Sequence, residues 1–97
     1  MIRHTVAFTL RHAPGSAEEG DFLATADVLA RIPGVRSFEK LRQVSAKNDY
    51  AFGFSMEFED QAAYDAYSAH PDHVAFVDGR WVPEVVDFLE IDYTALH

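Results

Sequence analysis

Hydrophobic and polar positions alternate in three separate stretches of this chain. From Ile2 to Leu10, the side chains of Ile2, His4, Val6, Phe8 and Leu10 share one face, and Arg3, Thr5, Ala7 and Thr9 share the other. From Tyr50 to Phe58, the aromatic and apolar set Tyr50, Phe52, Phe54, Met56 and Phe58 opposes Ala51, Gly53, Ser55 and Glu57. From Val85 to Tyr93, Leu89, Ile91 and Tyr93 oppose Phe88, Glu90 and Asp92. Each reads as a half-buried strand. Val35 to Val44 reads as a fourth strand, polar enough to belong near an edge.

Between the strands the periodicity becomes helical. Pro14-Gly15 turns the chain, and Ser16-Ala17-Glu18-Glu19 has the form of a capping box. The helix it opens places Phe22, Ala26 and Leu29 on one stripe, and Ile32-Pro33-Gly34 ends it. Ser45 to Asp49 is turn chemistry, so the second and third strands should form an antiparallel hairpin. Asp60 is the expected cap of a helix through Tyr64 and Tyr67 to about His70. Pro71 should stop that helix and start another, to Asp78, with Gly79 closing it.

The order strand, helix, strand, strand, helix, strand predicts an α+β chain of the ferredoxin-like β-α-β-β-α-β type, an antiparallel sheet with helices on one face. The chain's 97 residues are read as a single domain, 1–97. The heavy side chains suit the helix-covered face. The opposite face is small and neutral at Thr5, Ala7, Thr9, Ala51, Gly53 and Ser55, where a solvated sheet would carry long charged residues. Small residues let a second sheet approach, so a homodimer packed face to face is expected.

Net charge changes the list of partners. At −8, with eight basic residues scattered along the chain, nucleic acid and anionic membrane surfaces are excluded as expected partners. No apolar run approaches the roughly 20 residues of a membrane span. With no cysteine there is no disulfide, thiolate nucleophile or Cys-ligated metal. The N-terminal strand pattern lacks a signal peptide's layout, and a cytoplasmic location is expected. No G-x-G-x-x-G, P-loop or G-x-S-x-G occurs, so neither a nucleotide cofactor nor a serine elbow is expected.

Several of these segments together resemble a known family. They are Ile2-Arg3-His4-Thr5-Val6-Ala7-Phe8, Ile32-Pro33-Gly34-Val35, the stretch from Tyr67 to Phe76 with the form Y-x-x-H-P-x-H-x-x-F, and the closing Asp92-Tyr93. Their order over the whole chain resembles the stress-responsive A/B barrel (Dabb) family, which implies a dimeric ferredoxin-like α+β barrel. Within it, the segment around Pro71 is similar to the plant polyketide cyclases that form olivetolic acid by aldol condensation. That resemblance implies catalytic roles for Tyr67 and His73 and a pocket-lining role for His4. The apolar wall departs from that branch, since Phe8 and Phe54 are large and the aromatic cluster of the first helix is reduced to Phe22.

These residues have two readings. His73 can act as a general base, with the Tyr67 hydroxyl on a carbonyl that becomes an enolate, or both can be structural supports near Pro71. His4 is either a satisfied core histidine or part of the same pocket. Glu90 and Asp92 are either paired carboxylates near His4 or charges at a strand end. His70 and His73, with Asp72 or Asp78, have metal-like spacing, but Pro71 should divide them between two helices. No metal and no cofactor are expected. The pocket is expected to be lined by His4, Val6, Phe8, Phe22, Phe54, Tyr67 and His73, and to take a small apolar or carbonyl-containing ligand. Three functions remain open: a cofactor-independent cyclase-like enzyme or binder, a non-catalytic stress-responsive dimer, and a cofactor-free monooxygenase on the same fold.

Overall fold

The computed structural model describes residues 1–96. Strand β1 (Ile2–Leu10) is followed by helix α1 (Ala17–Thr25), which tightens into a 3₁₀ segment at Ala26–Arg31. Strands β2 (Arg36–Arg42) and β3 (Phe52–Phe58) follow, then helices α2 (Gln61–Ala69) and α3 (Pro71–Phe76). A π-helical turn at Val77–Trp81 and a short helix α4 (Val82–Glu84) lead into β4 (Val85–Tyr93). The sheet runs β2-β3-β1-β4 with every neighbouring pair antiparallel, the arrangement expected from the alternation.

Local chemistry sets the element ends. The Ser16 hydroxyl accepts from the Glu19 backbone N–H at 3.2 Å, while the Glu19 carboxylate accepts from Gly15 N–H at 3.1 Å. The Asp60 carboxylate caps α2 by accepting from Ala63 N–H at 2.9 Å. His70 serves both as the C-cap of α2 and as the N-cap of α3, in extended backbone with ψ 137°. Pro71 therefore divides His70 from His73, as its ring requires.

Three boundaries differ from expectation. The second strand ends earlier, at Arg42, and the third starts later, at Phe52, because the hairpin link is longer; Ala51 still bonds to β1 through its N–H to the Phe8 carbonyl at 3.1 Å. Gly79 does not close a helix. The chain instead widens there into the π turn and runs on to Glu84, because Arg80 is anchored on both sides. Its guanidinium donates to Asp21 at 2.8 Å, to Thr25 at 2.9 Å and to Glu84 at 2.5 Å.

The core lies between the sheet and the helices. Phe8, Phe22, Met56 and Phe58 are its fully buried large side chains, with Val6, Phe54, Tyr67 and Phe76 around them. The other sheet face has no covering layer in the single chain. Leu41, Leu89, Ile91 and Tyr93 are exposed there around the small residues Thr5, Ala7 and Gly53. Among the described residues no helix is long and apolar enough to cross a membrane.

Candidate functional site

A cavity of about 370 Å³ opens between the sheet and α2, α3 and the π turn. Its apolar wall includes Val6, Phe54 and Met56 from the sheet, Phe88 from β4, and Trp81 and Val82 from the turn. Its polar lining consists of His4, Tyr67, His73 and Glu90. These four lie near one another. The Tyr67 and His73 rings are 4.5 Å apart, the His4 and Tyr67 rings 6.3 Å, and Glu90 Oε1 is 3.9 Å from His4 Nδ1. The opposite end is aromatic, with Trp81 packed 5.6 Å from Phe88 and 6.2 Å from Phe54. The cavity is thus amphipathic along its length.

His73 sits in the first turns of α3, and its Nδ1 lies 3.0 Å from the Ser68 carbonyl on α2. A carbonyl only accepts, so Nδ1 carries the proton and Nε2 of the neutral ring holds the lone pair. Burial lowers the His73 pKa below the ordinary histidine value, more than the Ser68 hydrogen bond raises it. Both readings of this residue therefore have a counterpart in the geometry: His73 bridges the break at Pro71, and it presents a neutral imidazole to the cavity.

Tyr67 is 2% exposed and packs against Phe58 at 5.0 Å. Its hydroxyl has no hydrogen-bond partner among the described residues, where no buried side-chain polar atom is left unsatisfied, so this hydroxyl reaches the cavity. Burial, and then the Glu90 charge, push its pKa up. It therefore stays protonated and available as a donor at neutral pH.

His4 is buried, and strand pairing sets it opposite Asp92. Its Nδ1 donates to Asp92 Oδ1 at 2.6 Å, since a carboxylate oxygen accepts. Tyr64 completes the group. Its hydroxyl lies 2.8 Å from Asp92 Oδ2, 3.2 Å from Glu90 Oε1 and 2.9 Å from His4 Nδ1. Burial and the hydrogen bond to Asp92 raise the Tyr64 pKa, so it too remains a donor. The His4, Glu90 and Asp92 ligand atoms lie within 4.8 Å of one another, the one such three-residue group among the described residues. The short hydrogen bond occupies the His4 nitrogen that would have to face a metal, so the geometry is that of an Asp–His pair. His70 and His73 do not converge, because the His70 Nδ1 accepts from the Asp72 N–H at 3.1 Å while the His73 Nδ1 donates to Ser68.

Of the seven residues expected to line a pocket, His4, Val6, Phe54, Tyr67 and His73 surround this cavity. Phe8 and Phe22 do not. Both are fully buried, and Trp81 packs over them at 5.0 and 6.3 Å, so they back the wall without reaching its surface. The sequence pattern assigns neither Tyr64 nor Trp81 to the site. Tyr64 had a legible signal, since it precedes Tyr67 by three residues and shares its helix face. Trp81 had none, because its approach depends on the π turn.

The stress-responsive A/B barrel (Dabb) family model matches residues 2–95. A Dabb family protein with a ferredoxin-like fold from Mesorhizobium loti is 65% identical, with a TM-score of 0.98 over 99% of this chain and 97% of that one. A dimeric ferredoxin-like protein of unknown function from Jannaschia is 25% identical, with a TM-score of 0.76 over 97% of this chain and 98% of that one. SnoaB, a cofactor-independent oxygenase from Streptomyces nogalater, shares the fold at 22% identity and a TM-score of 0.72, over 99% of this chain and 93% of that one. A comparison with curated proteins found no match. With nearly its full length matched in sequence and in structure, the chain belongs to the stress-responsive A/B barrel family.

Proposed function

We propose that this protein is a homodimeric, cofactor-independent enzyme that abstracts a proton beside a carbonyl in a small, partly apolar substrate and closes a ring. The observation that carries this reading is the pairing of an unengaged Tyr67 hydroxyl with a neutral His73 whose Nδ1 proton is already committed to Ser68. His73 Nε2 takes the proton from the carbon beside the carbonyl, and the electron pair moves onto the carbonyl oxygen. Tyr67 donates a hydrogen bond to that developing enolate oxygen. The enolate carbon then attacks a second carbonyl of the same molecule, and His73 returns its proton to the new alkoxide. The aromatic end of the cavity at Trp81, Phe54 and Phe88 holds the apolar portion and keeps water away from the enolate.

Homodimerisation is supported by the uncovered sheet face and by the dimeric Jannaschia relative. An open cavity reaching His73 favours the enzyme over a purely structural dimer, whose interior would be filled.

The test is turnover of a linear poly-β-keto thioester. His73→Ala should keep its fold and assembly while turnover falls roughly 10²-fold or more. Tyr67→Phe should lower turnover with little change in KM, as for a contact made mainly in the transition state. Equal specific activity per folded molecule in both variants would remove the catalytic assignment.

A further inference from the structure

The polar end of the cavity carries an unbalanced negative charge. Among the described residues no Lys or Arg lines the cavity. His73 is partly buried and hydrogen-bonded as the neutral ring, and His4 is engaged by Asp92 at 2.6 Å. Glu90 is left without a cation of its own. Its Oε1 shares the single Tyr64 hydroxyl proton, at 3.2 Å, with the nearer Asp92, while its other oxygen has no hydrogen-bond donor among the described residues. A carboxylate in that position accepts hydrogen bonds and repels anions.

We propose that Glu90 makes this site select neutral hydroxyl-bearing ligands, phenols and enols, over carboxylates, by accepting the ligand's O–H at its unengaged oxygen. The ligand's apolar body then lies toward Trp81 and Phe88, which fixes its direction in the cavity. An anionic head group in the same pose would meet Glu90 at short range with Asp92 close behind, since both carboxylates lie within 3.2 Å of the Tyr64 hydroxyl oxygen. The Glu90 side chain is half exposed, so solvent screens the repulsion, and the discrimination should be about tenfold and not thousandfold. This inference rests on the cavity's being the ligand site, as proposed above, and on no chemistry at His73.

Two probes of matched shape test it: 4-butylphenol, which is neutral at pH 7.5, and 4-butylbenzoate, which is anionic. Trp81 is the chain's single tryptophan and lines the cavity, so its fluorescence reports occupancy. The intact protein should bind the phenol about tenfold more tightly than the benzoate. Glu90→Gln keeps the size and an acceptor oxygen but removes the charge, and should bring the two affinities to within about twofold, chiefly by improving the benzoate. Equal affinities in the unmodified protein, a preference that Glu90→Gln leaves unchanged, or no binding of either probe would each overturn the proposal. The two readings fail separately. A charge preference alongside unchanged turnover in His73→Ala removes only the proton-abstraction chemistry, and lost turnover without a charge preference removes only the role of Glu90.

Discussion

Tyr64 joins three groups that come from distant parts of the chain, His4, Glu90 and Asp92, through one hydroxyl. Tyr64→Phe keeps the ring stacked on Phe58 but removes that junction. It should cost about 1–2 kcal/mol in chemical denaturation, the range for a hydrogen bond to a charged group at a partly exposed site. It should also loosen the Asp92–His4 contact, visible as a broadened His4 imidazole signal in NMR. His73 gives a pH prediction. Because burial depresses its folded-state pKa, the unfolded chain binds more protons between that value and the ordinary histidine value of about 6.5. This histidine's contribution to stability is therefore complete above about pH 6.5 and declines as the pH falls through that window. His73→Gln should flatten that part of the stability–pH curve, and an unaltered slope would place the pH dependence elsewhere. If His73 is the proposed base, it stays neutral to lower pH, so the acidic limb of kcat/KM should have its midpoint below 6.5. The alternation of β1 made His4 legible as a histidine on an apolar face. Its partner was legible as one of two carboxylates placed near His4, but which of them sits opposite is set by a register between segments 88 residues apart.

At the scale of elements, punctuation residues were read more reliably than their absence. Ser16, Asp60 and Pro71 each act by a local mechanism, and each acts where expected. The π turn is different, since nothing local compels it. Tertiary contacts of Arg80 with Asp21 and Thr25 on one side and Glu84 on the other hold it, and Glu84 also bonds to His12 Nε2 at 2.7 Å. These contacts keep Trp81 and Val82 in the cavity wall. Arg80→Met should therefore cost more than a typical surface substitution, about 1–3 kcal/mol, because it leaves the mostly buried Glu84 with His12 alone. Trp81 emission should shift to the red as its wall loosens. Pro71→Ala makes the complementary test. It should change stability by about 1 kcal/mol or less while allowing α2 to continue and drawing His73 away from Ser68. Unchanged probe binding and turnover in Pro71→Ala would show that this break does not position the site.

For the whole molecule, the arrangement of the sheet was legible from the order of the elements, and the side that carries the helices from period-two patterning, which leaves little freedom in which face is buried. The cavity was less so. Its existence depends on how far Trp81 and the helices stand from the sheet, and volume left between side chains has no period in a sequence. The uncovered face predicts assembly. Thermal midpoints should rise with protein concentration, and Ala7→Arg, at the centre of the small-residue patch, should shift sedimentation from dimer to monomer. A dimer insensitive to Ala7→Arg would have to form through another surface. The same two strands carry both the cavity and this face. On β1, His4 and Val6 look inward while Thr5 and Ala7 look outward; on β4, Phe88 and Glu90 alternate with Leu89 and Ile91. Even-numbered and odd-numbered positions thus answer to different pressures. On the proposed function and assembly, a lineage could retune its chemistry through positions 4, 6, 88 and 90 without changing its partner, or exchange partners through 5, 7, 89 and 91 without losing its chemistry. A single-residue insertion or deletion in either strand would disturb both at once, so change in these strands should proceed by substitution and length change should be confined to the loops.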